Sequence, residues 1–149
     1  MTGVRSASIE APAKVNLVLR VGARRADGYH ELETLFQSLE LSDTLRVTLD
    51  PGADREVALE LDGPDLGPPA ENLAVRAAEA FLHEFGMSGA VRIELEKRIP
   101  AGGGLGGGSS DAAAVLRLLA SLSWPRQAPD GTGRRLHDLA AALGSDVPF

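Results

Sequence analysis

The segment Pro100-Ala101-Gly102-Gly103-Gly104-Leu105-Gly106-Gly107-Gly108-Ser109-Ser110 limits what this chain can fold into more than any other stretch. Six of the seven positions from Gly102 to Gly108 are glycine. An ordered glycine in regular structure costs folding about 0.5–1 kcal/mol relative to alanine. A bare connection needs one or two, so the run is an expensive way to make a turn. Before it, Val91, Ile93 and Leu95 alternate as in a half-buried strand. After it, residues 109–122 are rich in Ala and Leu, open with Ser-Ser-Asp, and read as a largely buried helix. Unobstructed N–H groups leading into a helix start form a cradle for an anion. Lys97 and Arg98 add positive charge beside it. A phosphate group is the natural ligand.

Three familiar phosphate loops fail on particular residues. A Walker A loop needs lysine after its last glycine, and Ser109 stands there after Gly108. Gly102, Gly104 and Gly107 satisfy the Rossmann spacing trivially, but the stretch about 20 residues further on offers no acidic residue at the end of a second strand. Protein kinases carry their glycine loop between two strands and not before a helix.

The rest of the chain supplies a mixed α/β frame. Residues 14–21 are apolar at every odd position, with Lys14, Asn16 and Arg20 on the even face, so the odd side chains are expected to face a core. Residues 45–49 and 57–61 repeat the alternation on either side of Asp50-Pro51-Gly52, and residues 31–41 fit a strand or a short helix, with strand the preferred reading. Residues 23–30 make a polar loop or hairpin turn, and 62–69 a linker rich in Gly and Pro. From Asn72 to Phe85 the period becomes helical, with Leu73, Ala77, Ala80, Phe81 and Phe85 on one face and Gly86 closing it. Residues 124–133 read as a turn region, and 134–143 as a last short helix ended by Gly144.

Composition closes several doors. With 149 residues and 44% hydrophobic content the chain suits one folded domain. Fifteen basic against 21 acidic side chains give a net charge of −6, which argues against a general nucleic-acid or anionic-membrane binder. The absence of cysteine rules out a disulfide scaffold and a thiolate metal site. His83 and His137 lack a second ligand at metal spacing. There is no membrane-length apolar run, and residues 1–10 lack the apolar stretch of a secretory signal, so a cytoplasmic protein is expected. The apolar ending Asp146-Val147-Pro148-Phe149 is expected of a chain that continues.

The loop as it stands, Pro100 to Ser110, resembles the ATP loop of the GHMP kinases, the superfamily of galactokinase, homoserine kinase and mevalonate kinase. Three more segments agree in order and spacing: Ala11-Pro12-Ala13-Lys14-Val15-Asn16-Leu17, Arg25-Ala26-Asp27-Gly28-Tyr29-His30-Glu31-Leu32 and Leu143-Gly144-Ser145-Asp146-Val147-Pro148-Phe149. The double triple-glycine form is similar to the branch whose acceptor is 4-(cytidine 5′-diphospho)-2-C-methyl-D-erythritol, in the non-mevalonate route to isoprenoid precursors. One departure stands out, Ser145 where alanine is more frequent; Asp111 stands at a position that can be Asn or Asp.

The resemblance implies an α/β (α+β) two-layer sandwich like the second domain of ribosomal protein S5. It makes residues 1–149 the N-terminal, ATP-binding domain and leaves a C-terminal domain outside them. It implies ATP with Mg²⁺ as cofactors, a small-molecule acceptor, and transfer of phosphate to the acceptor's 2-hydroxyl. Asp146 is then the general base, with Lys14 pairing with it and favouring its charged form. Asn16 contacts the acceptor, Tyr29 stacks on cytosine and His30 bonds its edge. The ATP site takes in Pro100, Ala101, Gly102, Gly103, Gly104, Leu105, Gly106, Gly107, Gly108, Ser109 and Ser110, with Asn72 and Lys97 near the adenine. Asn72 serves equally as a helix N-cap, and Ser109 and Ser110 as caps, phosphate ligands or Mg²⁺ contacts. Two alternatives stay open: a family member acting on another small alcohol, and a nucleotide-binding piece without activity of its own.

Overall fold

The structure, a computed structural model, describes residues 3–149; Met1 and Thr2, where the segment read as lacking a signal begins, lie outside the described residues, as does the side chain of Leu32. In chain order the elements are β1 (Arg5–Arg24), β2 (His30–Asp50), β3 (Glu56–Asp62), a 3₁₀ turn at Pro69–Glu71, α1 (Leu73–Glu84), β4 (Ala90–Glu96), α2 (Gly107–Ser123) and α3 (Thr132–Leu143). The four strands form one sheet in the order β1-β2-β4-β3. β1 runs antiparallel to β2 and β2 antiparallel to β4, while β3 and β4 are parallel. A parallel pair needs a crossover, and the 3₁₀ turn with α1 supplies it.

The core lies between the sheet and the helices. Leu45, Val47 and Leu49 of β2 and Val91, Ile93 and Leu95 of β4 are all within 2% of full burial, as alternation requires. They meet Ala74, Ala77, Ala78, Phe81 and Leu82 of α1 and Ala112, Val115, Leu116 and Leu119 of α2. The buried face of α1 is turned from the expected one: Ala74, Val75, Ala78 and Leu82 join Ala77 and Phe81 in it, while Leu73, Ala80 and Phe85 are only partly covered. A helix lying on a sheet and touching α2 as well buries more than a single stripe. Trp124, within the expected turn region, closes an aromatic group with Phe81 and Phe85. The opposite face of the sheet is polar, with the ion pairs Arg46–Glu94 and Arg92–Glu60 lying across it. Two layers therefore suffice, as expected of the sandwich.

β1 and β2 are 20 and 21 residues long, far beyond the usual strand of about 3–10 residues. Each is two strand segments in series. The pairing shifts register between Pro12 and Lys14, between Asn16 and Val18, and between Val21 and Arg24. On the near side of the first shift, Ala11 and Ala13 are buried and Ala7 and Ile9 pack on the core. Beyond it the two strands leave the sheet as a hairpin arm. Here the expectation for residues 14–21 is corrected: Leu17, Leu19 and Val21 are 58%, 55% and 62% exposed. Their alternation is real, but no helix among the described residues covers that part of the ribbon. The core strand is instead the stretch before Lys14, where Ala7, Ile9 and Ala11 alternate with Ser6, Ser8 and Glu10.

Candidate active site

The glycine loop leaves β4, crosses the end of the sheet and enters α2. Gly106 is the N-cap of that helix, with φ +70°, and no side chain caps the first turn. Ser110 makes the first helical bond, its N–H donating to the Gly106 carbonyl at 2.9 Å. No backbone N–H of residues 101–109 finds a backbone acceptor among the described residues. A helix start carrying uncapped donors and partial positive charge is suited to an anion. Asn72, Leu73, Lys97 and Asp111 wall the cleft over this loop, as do Pro100 to Ser109. Asn72 settles as a cap: its Oδ1 accepts from the Ala74 N–H at 2.9 Å, and it still borders the cleft.

Two lysines hold the loop from beneath, on successive glycines. A Cβ at Gly106 would lie 2.8 Å from Cε of Lys14, and one at Gly107 would lie 2.9 Å from Nζ of Lys97. A side chain at either position would push a lysine aside, and at Gly106 the φ of +70° favours glycine as well. Lys14 is tied to the loop again by its own N–H, which donates to the Leu105 carbonyl at 2.9 Å.

The Lys97 ammonium is not available to a nucleotide's phosphates. It donates to Asp43 at 2.5 Å and to Asp111 at 2.8 Å, and all three side chains are at least 96% buried. Arg98 is likewise occupied, by Glu96. The positive charge that flanks the loop in sequence is therefore neutralised in the fold. Burial acts to lower the Lys97 pKa, but the hydrogen bonds and charges of Asp111 and Asp43 outweigh it and leave it raised. Asp43 also accepts from the N–H groups of Arg98 and Ile99 at 2.6 and 2.8 Å. Asp111 has no such support, and its Oδ1 is buried without a partner. Burial accordingly pushes the Asp111 carboxyl up to about 6, against the pull of Lys97. One cation serves two carboxylates, and the poorly solvated one retains its proton longer.

Lys14 belongs to a more open arrangement. Its Nζ lies 3.0 Å from Oδ2 of Asp146 and donates to Oδ1 of Asn16 at 2.8 Å. The Phe36 ring sits 4.9 Å from the same nitrogen. Asp146 arrives from the far end of the described chain because Val147, next to it, is 2% exposed and anchored in the core. The turn that follows α3 is closed by the Val147 N–H on the Gly144 carbonyl, at 3.2 Å. The Lys14 and Asp146 side chains remain 21% and 38% exposed. They line a second cleft of about 160 Å³ with Ser38, Ser109, Ser110, Ala113, Arg117 and Phe149. Gly106 and Ser109 border both clefts, so the loop and the carboxylate share one rim.

Tyr29 and His30 are not brought to that rim. They sit at the tip of the hairpin arm, with Tyr29 74% exposed and Nδ1 of His30 3.1 Å from the Gly22 carbonyl oxygen. The arm separates them from Lys14 by ten or more strand residues, a contour of about 30 Å. Asp43 and Arg117 were not anticipated at the site. Asp43 could have been found, since it shares the inward parity of Leu45, Val47 and Leu49, where an unpaired charge would be costly. No group of three or more His, Cys, Asp or Glu side chains among the described residues is arranged to hold a metal ion, and no helix of theirs is long and apolar enough to cross a membrane.

The chain is similar to known proteins over most of its length. Residues 72–149 match the model of the GHMP kinases N-terminal domain. The chain is 56% identical over 144 residues to 4-diphosphocytidyl-2-C-methyl-D-erythritol kinase of Anaeromyxobacter sp. (strain K), covering 93% of this chain and 42% of that protein. It is 45% identical to the protein of the same name from Chlorobaculum parvum, over 95% of this chain and 47% of that one. A crystal structure of 4-(cytidine 5′-diphospho)-2C-methyl-D-erythritol kinase superposes with a TM-score of 0.71 at 49% identity, over 96% of this chain and 48% of that one. Homoserine kinase from Cytophaga hutchinsonii, at 21% identity and a TM-score of 0.68 over 93% of this chain and 40% of its own, shares the fold. The chain spans about half the length of the relatives it matches. Its glycine loop, its helices and its closing aspartate segment all fall within the matched region, and the chain belongs to the GHMP kinase N-terminal domain family.

Proposed function

We propose that this chain is the nucleotide-binding half of an ATP-dependent small-molecule kinase, one that phosphorylates the 2-hydroxyl of 4-(cytidine 5′-diphospho)-2-C-methyl-D-erythritol. The observation that carries this reading is the Lys14–Asp146 ion pair on the rim of an uncapped glycine loop. The names of the relatives at 45–56% identity support the choice of acceptor.

In this reading the N–H groups of residues 101–109 bind the polyphosphate of ATP, and Asn72 and Leu73 border the space for its base. The acceptor hydroxyl lies against Asp146, which takes its proton as the oxygen attacks the terminal phosphorus. The bond from that phosphorus to the bridging oxygen breaks, and ADP leaves with the electron pair. Lys14 orients Asp146 and the hydroxyl, and Asn16 fixes Lys14 from its other side. Positioning and electrostatics supply most of the acceleration in phosphoryl transfer. Mg²⁺ keeps most of its ligands on phosphate and water, which suits a site without an acidic cage; the Ser109 and Ser110 hydroxyls are the groups that would help hold it. When bound it neutralises charge on the phosphates. Tyr29 and His30, at the tip of the arm, would meet the cytosine. The reading carries with it a cytoplasmic enzyme of soluble metabolites.

The test is acceptor selectivity. The protein at the full length of its relatives, given ATP and Mg²⁺, should phosphorylate the cytidine diphosphate alcohol and leave mevalonate and homoserine untouched. Phosphorylation of mevalonate in preference to the cytidine compound would assign the chain to a different branch.

A further inference from the structure

Three groups meet the Lys14 ammonium, and the kinase reading gives a role to only two of them. Oδ2 of Asp146 lies 3.0 Å away, and Oδ1 of Asn16 accepts from it at 2.8 Å. The third is the Phe36 ring, whose centroid lies 4.9 Å from the same nitrogen. A ring face attracts a cation within about 6 Å of its centroid. Strand pairing puts the ring there. Across β1 and β2, Lys14 pairs with Ser38 and Asn16 with Phe36, so the four side chains share one face of the ribbon. The Phe149 ring packs against Phe36, with 5.9 Å between centroids. Both rings line the cleft of Lys14 and Asp146. Phe36 is half-buried and lies outside the hydrophobic core, so core packing does not account for an aromatic residue at this position.

An aromatic face does for an ammonium what a carboxylate cannot. Its quadrupole attracts the charge, yet it takes up no proton and offers no lone pair to compete with Asp146. During transfer Asp146 accepts the proton of the acceptor hydroxyl, so its negative charge fades and its hold on Lys14 weakens with it. The hold of the ring does not depend on that proton. We infer that Phe36 is a positioning residue for Lys14, keeping the ammonium beside Asp146 and the reacting hydroxyl while the carboxylate is being neutralised. The inference rests on the kinase reading above and adds a residue that neither the loop nor the ion pair includes. A contact that gains relative weight as its competitor fades acts on the transition state more than on bound substrate, so its loss shows in the rate of transfer.

The test replaces Phe36 in the full-length protein by ring-fluorinated phenylalanines, which nearly keep its shape while each added fluorine weakens the negative face. The single-turnover rate of transfer at saturating acceptor should fall stepwise with fluorine count, by about 3–10-fold over the series, the span of a cation–π contact partly open to solvent. Phe36→Leu, an apolar side chain without a π face, should lose at least as much, and Phe36→Tyr should stay within about threefold of the parent rate. The acceptor KM and the ATP dissociation constant should hold within about threefold throughout, and intact ATP binding shows that each variant is folded. A transfer rate indifferent to fluorine count would overturn the inference. So would a rise in acceptor KM at constant rate, which would make the ring a surface for the acceptor and not a holder of Lys14. If the unsubstituted protein fails to phosphorylate a cytidine diphosphate alcohol, the kinase reading itself falls; turnover that ignores the fluorines removes this inference alone.

Discussion

The glycine loop rests on two lysines that hold opposite kinds of charge cluster. Under Gly107, Lys97 joins Asp43 and Asp111 in a group at least 96% buried. Under Gly106, Lys14 meets Asp146 with both side chains partly open to solvent. The chemistry of the two pairs is the same, and their surroundings decide what each can do. The buried cluster borders the loop cleft with its charges already paired, and its bonds join β2, the end of β4 and the start of α2. It is a clamp that fixes where the loop begins and ends. The open pair has a cleft in front of it and hence something to react with. A buried ion cluster is costly to break and contributes little when compared with an apolar replacement of the whole. An exposed pair contributes little to stability either way. Stability and activity should therefore separate cleanly between the two lysines.

The largest stability effect falls on the clamp. Lys97→Met leaves two carboxylates buried without a cation and should cost about 3–5 kcal/mol, read as a shift in the urea unfolding midpoint. A cost below 1 kcal/mol would mean that the three charges do not act as a unit.

The next effect is in the pH dependence of the same cluster. Asp111, raised from 3.8 to about 6, binds its proton more tightly in the folded state than in the unfolded one. Its contribution is therefore fully present below about pH 4 and is lost as the pH rises through 6. The stability advantage of Asp111→Asn over the parent chain should accordingly grow from pH 4 to pH 6 and level off above it, by up to about 3 kcal/mol. Parallel unfolding midpoints across that range would show that Asp111 ionises as freely folded as unfolded. The smallest effect falls on the open pair: Lys14→Met keeps the stem beneath Gly106 and should change stability by less than about 1 kcal/mol. A larger loss would make Lys14 a second clamp.

Much of this was legible in the sequence. The loop, the strand before it and the helix after it follow from glycine clustering and from the change of period around residue 100. Lys14 and Asn16 were readable as one face of a strand, and the structure joins them through a single hydrogen bond. The partnership of Lys14 with Asp146 was reached through family resemblance alone, since the two are 132 positions apart and no local pattern encodes it. The hairpin arm misled for a physical reason. Alternation reports a ribbon with two unlike faces, and it does not say whether anything covers the apolar one. Leu17, Leu19 and Val21 keep the pattern of a core strand while lying outside the two layers. Asp43 was missed because an acidic residue in a strand is ordinarily read as facing solvent, and its parity with Leu45 was the available counter-signal.

The direct test of the central claim uses Asp146→Asn in the full-length protein, with ATP binding measured by calorimetry and phosphoryl transfer by single-turnover kinetics. The uncapped loop should bind ATP within about threefold of the parent protein, while transfer slows by about 10²–10⁴-fold, the span of a lost general base. Undiminished transfer, or ATP affinity that falls in step with it, would contradict a division of labour between the glycine loop and the Lys14–Asp146 pair.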